Sequence, residues 1–333
     1  MDRNIFNDDV INVLKRHSAN YRNRQRRPIL VFSCGGDAKD HVSRDRLRRY
    51  VQANDTVLDN VYFMSAENIA KESAMREFDL LAQEAIIADI ADWLVLFAES
   101  VGSYCELGAF AALPHTVSIM SVVVDKRYKN SSGFLLNGPA KVVENCKAPL
   151  SDVFYSDLEC PMESAEFENT VLNIRDLVEK SEDFPTNKGR KIINSKPDAI
   201  MVGSFAHELL DLIALFQPIS EEDLLTLYSE VKDFEKAKLR IVSRVLSLDM
   251  KKEYTINIGQ VLAAMRATEL IGVVDNDAFK QAHYYSKVWL NDYFMFRRTR
   301  EDDFRQMRAK VLLSRKGRRQ ESAKSLYRRF DPS

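Results

Sequence analysis

The sequence predicts an α/β fold, a parallel sheet flanked by helices, followed by a mostly helical module. Three observations predict it. Short apolar runs at 28–33, 61–64, 93–97 and 117–124 read as strands buried on both faces. Helical stretches at about 41–53, 74–91 and 103–113 separate them, the alternation that builds parallel sheets through crossover helices. Glycine is scarce, and Gly35, Gly36 and Gly102 fall at strand-to-helix turns, where an open parallel sheet has its ligand crevice.

Before the first strand, Ile5, Val10, Ile11, Val13 and Leu14 recur at mostly helical spacing, and the basic run 22–27 follows. Residues 1–27 are thus an N-terminal helix and basic linker, and 28–182 form the α/β domain. Gly108, inside the third predicted helix, reads as a point of close packing on the sheet. From 181 to 197 periodicity is lost and Pro, Gly and charge collect, as in an interdomain linker. The second domain, 198–333, reads as helices at 199–216, 220–231 and 235–248, with Ser220 as an N-cap and Asp223 three residues on. The alternating piece 253–258 and a helix to about 270 complete it. Short helices with a β-ribbon suggest a winged helix, though small helical modules also serve as protein docking surfaces.

Composition excludes several classes. The 333 residues carry 48 Lys plus Arg against 49 Asp plus Glu, a net charge of -1, so the chain as a whole is not a basic nucleic-acid binder. No apolar stretch reaches the ~20 residues that span a bilayer, and no signal-peptide core follows Met1, so a soluble cytoplasmic protein without membrane contact is expected. Cys34, Cys105, Cys146 and Cys160 are isolated, and His17, His41, His115, His207 and His283 are scattered, so neither a metal site nor a disulfide framework is expected. Gly35-Gly36 is too short for a dinucleotide fingerprint or a P-loop, which argues against NAD redox chemistry and ATP hydrolysis.

Charge is unevenly distributed. Residues 297–329 hold thirteen Lys or Arg against four Asp or Glu, an excess of nine that leaves the rest of the chain near -10. Aromatic residues including Trp289, Tyr293, Phe296 and Phe304 run into this segment, a mixture suited to phosphate contact with base stacking. An amphipathic helix with a solvated basic face fits the same residues equally well.

The stretch that carries chemistry runs from Asp92 to Ala112. A buried strand delivers the chain to the Gly102-Ser103 turn, and the helix expected to start there presents Glu106 in its first turn, over the strand ends. A carboxylate so placed can attack an anomeric carbon, or stabilise the cation formed as a C–N glycosidic bond breaks. A first-turn Glu favoured by the helix dipole, worth about 0.3–1 kcal/mol, is the structural alternative.

Here a family resemblance enters. The segment Gly102-Ser103-x-x-Glu106-Leu107-Gly108, after an apolar strand, resembles the nucleophile motif of nucleoside 2-deoxyribosyltransferases, relatives of the TIR-like N-glycosidases. Three pieces together, 31–37, 96–110 and 136–139, resemble the effector subunits of retron antiphage systems. The motifs cover about the first 145 residues, and the rest matches only in layout. The resemblance implies a deoxyribosyltransferase-like domain before a winged-helix-like one, in a toxic effector that assembles with a reverse transcriptase and its branched DNA–RNA product (msDNA) as a homo-oligomer or larger assembly.

Carried over residue by residue, the resemblance makes Glu106 the nucleophile and places Ser33, Gly35, Gly36 and Asp37 in the loop bordering the substrate. It puts Glu84 near the ribose, Gly102 and Ser103 at the turn, and Asn137 on the sugar. Where the transferases place a base-contacting Asp, this chain has Ser100, with Glu99 beside it. Hydrolysis of a nucleotide or of NAD, as substrate and with no cofactor, is therefore expected rather than base exchange. Arg315, Lys316, Arg318 and Arg319 are the candidate nucleic-acid contacts. The alternative from another class is a non-catalytic nucleotide-sensing module coupled to a DNA-binding regulator domain.

Overall fold

The computed structural model describes residues 8–19, 29–37, 39–53, 61–159, 199–233, 239–243, 254–274 and 281–288, with single positions elsewhere. Helix α1 (Asp8–Ala19) precedes a five-stranded parallel sheet of β1 (Ile29–Cys34), β2 (Val61–Met64), β3 (Trp93–Ala98), β4 (Met120–Asp125) and β5 (Asp152–Ser156). The strands lie in the order β2-β1-β3-β4-β5, and each neighbouring pair is parallel. Between them run α2 (Ser43–Ala53), α3 (Leu80–Ile90), α4 (Val101–Ala111), the short α5 (Pro114–Val117) and α6 (Lys141–Cys146).

The two-residue period of the strands sorts their side chains onto two faces. Leu30, Phe32, Leu94, Leu96, Val122 and Val124 point into one core with Ile86 and Ile87 of α3 and Leu107 and Phe110 of α4. Val31, Trp93, Val95, Phe97 and Val123 point the other way and are covered by Leu47 of α2. Every residue of β3 and β4 is buried; β3 is accordingly apolar throughout, while in β4 the buried Ser121 hydroxyl accepts from the Trp93 indole N–H and donates to the Leu150 carbonyl. Since α2 lies on one face and α3 and α4 on the other, the winding reverses between β1 and β3, and that reversal opens the crevice beyond their carboxyl ends.

The second half begins with β6 (Ala199–Met201), α7 (Val202–Phe216), β7 (Ile219–Ser220) and α8 (Glu221–Lys232), and continues with β8 (Arg240–Ser243), β9 (Tyr254–Ile256) and α9 (Ile258–Ala267). The hairpin β10 (Ile271–Val274) and β11 (His283–Ser286) follows. Two small sheets form, β10-β11-β7 and β6-β8-β9. The Ser220 side chain accepts a hydrogen bond from the Asp223 N–H, the N-cap expected from the sequence. Apolar side chains of α7, α8 and α9 belong to the same core as the α3 face of the large sheet, and Phe6 meets Phe216 edge to face, centroids 5.7 Å apart.

Several expectations need correction. The helix expected at 235–248 contains strand β8 instead, because Ile241 and Val242 pair with β6 on one side and β9 on the other. The helix expected from residue 74 starts at Leu80 behind its Asp79 cap, after 3-10 turns at Ile69–Lys71 and Ser73–Met75. Residues 199–201 are strand rather than helix, and the run 117–124 divides between α5 and β4. Gly108 is exposed with open space where a Cβ would stand, so close packing does not require it. Strand β5 was not expected from sequence. The linker 181–197, the basic segment 22–27, Cys160 and all of the basic segment 297–329 but Gln306 and Ala309 lie outside the described residues.

Ile86 is fully buried where α3 packs between the sheet and the second half. Ile86→Ala should cost about 2–5 kcal/mol through lost burial and a residual cavity. Urea denaturation followed by far-UV circular dichroism measures this.

Candidate active site

The crevice at the β1/β3 reversal is assembled around a buried carboxylate that the sequence reading passed over. Strand β3 ends at Ala98, and the Glu99 side chain turns inward, 3% exposed. Its Oε1 accepts from the Gly36 N–H (3.1 Å), its Oε2 accepts from the Ser43 hydroxyl (2.7 Å), and His41 Nδ1 stands 3.9 Å away. One side chain thus binds the end of β3 to the loop after β1. Both glycines of that loop are required by close approach. A Cβ at Gly35 would meet Glu99 Oε1 at 2.8 Å, and one at Gly36 would meet the His41 ring at 1.9 Å.

Helix α4 starts at once on the other side. Ser100 is its N-cap, and Ser103 Oγ in turn accepts from the backbone N–H groups of Glu99 and Ser100, a closed capping box. This cap starts the helix two residues earlier than expected. Glu106 therefore lies in the second turn, not the first, and the helix-dipole account of it weakens accordingly.

Glu106 is half-buried, and its Oε2 is buried with no hydrogen-bond partner among the described residues. Burial raises its carboxyl above the ordinary carboxylate value, and the positive charge of Arg44 opposes that rise. Glu84, on α3, is also half-buried, and its carboxyl is pushed from 4.5 to about 7, first by burial and then by the charge of Glu106. Burial pushes the Cys34 thiol up as well, with the charges of Glu106 and Glu84 adding to it and Arg44 opposing. Cys34 at the end of β1, Glu84 on α3 and Glu106 on α4 thus share one electrostatic site, and Arg44 of α2 is its counter-charge. The two carboxyl groups therefore differ in their surroundings: Arg44 opposes the rise at Glu106, whereas the charge of Glu106 adds to the rise at Glu84.

Arg44 is held by its own contacts, Nη2 donating to the Gly36 carbonyl (2.7 Å) and to Glu67 Oε1 (3.1 Å). Nothing in the sequence distinguishes Arg44 from the neighbouring Arg46, Arg48 and Arg49. Its place beside Glu106 comes from the direction of α2.

The other nominated residues divide. Ser33 is buried in β1, and Gly35 and Gly36 lie close against Glu99 and His41. Ser103 is fully buried, and the Ser100 and Ser103 hydroxyls are engaged with each other in the cap. Asp37 is exposed and turns back to the Lys39 N–H, while Gly102 is exposed with room around it. Asn137 is exposed in a π-helical turn (Leu136–Ala140) at the start of α6, its side chain donating to the Gly133 carbonyl (3.3 Å). Arg315, Lys316, Arg318 and Arg319 lie outside the described residues. Val42, Leu80, Leu81, Val101 and Phe134 are exposed, the first four next to the starts of α2, α3 and α4 and Phe134 in the stretch between β4 and α6.

Among the described residues no group of three or more His, Cys, Asp or Glu could hold a metal ion, and no helix is long and apolar enough to cross a membrane. The family model for the STM3845 retron effector protein matches residues 40–271. Two Escherichia coli proteins also match. The "Retron Ec86 putative ribosyltransferase/DNA-binding protein" is 30% identical over 118 residues, and its Ec73 counterpart of the same description is 29% identical over 117. Each alignment takes in 34% of this chain and 37% of the relative's own length.

The elevated Glu84 carboxyl has a consequence for stability. Its folded value lies above its unfolded one, so its contribution is fully present below about pH 4.5 and is lost as pH rises through about 7. Glu84→Gln, which carries no charge, should match the wild type at pH 4.5 and gain on it steadily up to pH 8. Thermal unfolding of both proteins across that range checks the sign.

Proposed function

The chain belongs to the STM3845 retron effector protein family, and from that premise we propose that it is the toxic effector of a retron antiphage system, a hydrolase of the N-glycosidic bond in a nucleotide or in NAD. The observation that carries this reading is the half-buried pair Glu84 and Glu106 at the sheet reversal, with Arg44 as counter-charge. Glu106, ionised, attacks C1′ of the ribose or stabilises the cation that forms there; the C1′–N bond breaks and its electron pair leaves with the base. A nucleobase leaving as an anion takes the proton that Glu84 holds near neutral pH, whereas nicotinamide leaves neutral and needs none. Water then attacks C1′, displacing the Glu106 carboxylate where it has bonded there, and its proton passes to the Glu84 carboxylate in the first case and to solvent in the second.

Two observations favour hydrolysis over base exchange. The Ser100 hydroxyl, where the transferases carry a base-contacting Asp, is engaged in the helix cap. Glu99 beside it is turned inward to Gly36 and Ser43. Neither is available to hold an incoming base.

For the second half we propose a winged-helix-like domain. The order α7, β7, α8, α9 and hairpin β10–β11, with β11 between β10 and β7 in an antiparallel sheet, supports it, and β8–β9 is then an insertion before α9. The DNA-binding description of the two relatives supports a nucleic-acid partner, which we take to be the msDNA held by the retron reverse transcriptase. The basic segment 297–329 is the proposed contact, in an effector that assembles as an oligomer with that complex.

Glu106→Gln keeps the size of the side chain and removes its charge, and should lower base release by roughly 10²–10³-fold or more while the fold survives. Mass spectrometry of nucleotides in cells expressing each protein, with nicotinamide and free bases as the readout, decides it; release at the wild-type rate would remove Glu106 from the chemistry.

Reversal of Arg315, Lys316, Arg318 and Arg319 to Glu should weaken binding to the DNA–RNA and flatten its salt dependence by up to roughly 0.9 per lost contact in the slope of log K on log salt. Binding titrations at several salt concentrations measure this. Retention of the wild-type slope would make the basic segment a solvated face.

A further inference from the structure

Glu84 stands on α3, and the chain reaches α3 from β2 by an irregular path of two 3-10 turns with Glu72 between them. Its backbone bonds are local turns, such as Glu72 N–H to the Ile69 carbonyl and Met75 N–H to the Glu72 carbonyl, so its place against the rest of the molecule depends on what grips it. From within, Gln83, the neighbour of Glu84, donates its side-chain N–H groups to the carbonyls of Met75 (3.0 Å) and Phe78 (2.8 Å). From outside, the grip is supplied by α9. Arg266 holds Glu72 with two bonds, Nε to Oε1 at 2.9 Å and Nη2 to Oε2, and Gln260 donates to Glu77. Ile69 and Met75 of the turns are fully buried in one core with Val261, Leu262 and Met265 of α9.

The Glu72 side chain is 11% exposed and that of Arg266 39%, so the carboxylate end of the pair is withdrawn from solvent while the guanidinium end is partly screened. Among the described residues its carboxylate bonds only to Arg266, and loss of that partner would leave a mostly buried charge without compensation. Seven of the ten residues of α9 are buried. In a winged helix the corresponding helix lies in the DNA groove. Here α9 is already occupied against α3 and its leading turns.

We propose that Arg266, Gln260 and Glu72 are positioning residues for Glu84: the second half of the chain holds α3 by its leading turns and thereby sets where the Glu84 carboxyl stands relative to Glu106. This rests on the reading of Glu84 and Glu106 as the reacting pair. It assigns α9 to an internal contact and leaves nucleic acid to other surfaces of the second half. A partner that pulls on α9 would move Glu84.

The test uses the full chain with Glu72→Arg, Arg266→Glu and the charge-swapped double variant, and Arg266→Lys as a milder change that keeps the charge but cannot make the two-bond contact. NAD and a 2′-deoxynucleoside 5′-monophosphate serve as probe substrates. Hydrogen exchange of residues 80–90 and the titration midpoint of an isotope-labelled Glu84 carboxyl are followed without reference to catalysis. Each single reversal should speed exchange in α3, shift the Glu84 midpoint, lower kcat at pH 7 by roughly ten- to a hundredfold, as a displaced catalytic group does, and move the alkaline limb of the kcat–pH profile. The swap should restore all four, and Arg266→Lys should fall between. Unmoved exchange and midpoint in the single variants would overturn the proposal, as would faster exchange with the midpoint and kcat unmoved, since the contact would then be structural alone. If Glu84→Gln leaves kcat and its alkaline limb unchanged, or neither probe is cleaved, the reading of the reacting pair fails, while exchange and midpoint still decide on the grip.

Discussion

A carboxylate removed from water must find donors, and the carboxylate of Glu99 finds them on the far side of the crevice. By accepting from the Gly36 N–H and the Ser43 hydroxyl it fastens the loop after β1 and the start of α2 to the end of β3. The other features of the site follow from that bond. The glycines at 35 and 36 are needed because Glu99 and the His41 ring approach so closely. Arg44 reaches the Gly36 carbonyl because α2 starts where Ser43 is held. The α4 cap forms in the residues that immediately follow, and through α4 it places Glu106.

The electrostatics of the site then come from two carboxyl groups sharing a half-buried space with one cation. Burial raises both carboxyls, the charge of Glu106 raises Glu84 further, and Arg44 opposes the rise at Glu106. The two carboxyls differ because their neighbours differ, since their residue type is the same. Cys34 lies in the same field and is held as a thiol by burial and by both carboxylates, which argues against a nucleophilic role for it.

The two halves of the chain share one apolar core, and besides the Lys15–Asp233 ion pair, polar contacts join them at both ends of α3. Arg266 and Gln260 meet its leading turns, and His207 of α7 stands 3.7 Å from Asp92, which follows its last turn. Asp92 also accepts from the Leu30 N–H, so the same carboxylate touches the sheet and the second half.

The parallel sheet was legible in the sequence because strands buried on both faces must be apolar at every position, and 93–97 is such a run. The cap at Ser220 was legible because it depends on residues three apart. Glu106 stood out through a local motif, and Glu84 only through the family resemblance. The strand at 240–243 was not legible, because its partners β6 and β9 decide between helix and strand there. Neither Glu99 nor Arg44 could be singled out. Their roles rest on contacts across the sheet reversal, Glu99 with residues 56 and 63 positions away in sequence, and no local spacing encodes these. The sequence by itself determined the layers and the nucleophile candidate, since both are written in short-range pattern. Only the tertiary structure decided which charges surround that carboxylate and that α9 is buried against α3, because burial and Coulomb interactions depend on distance in space.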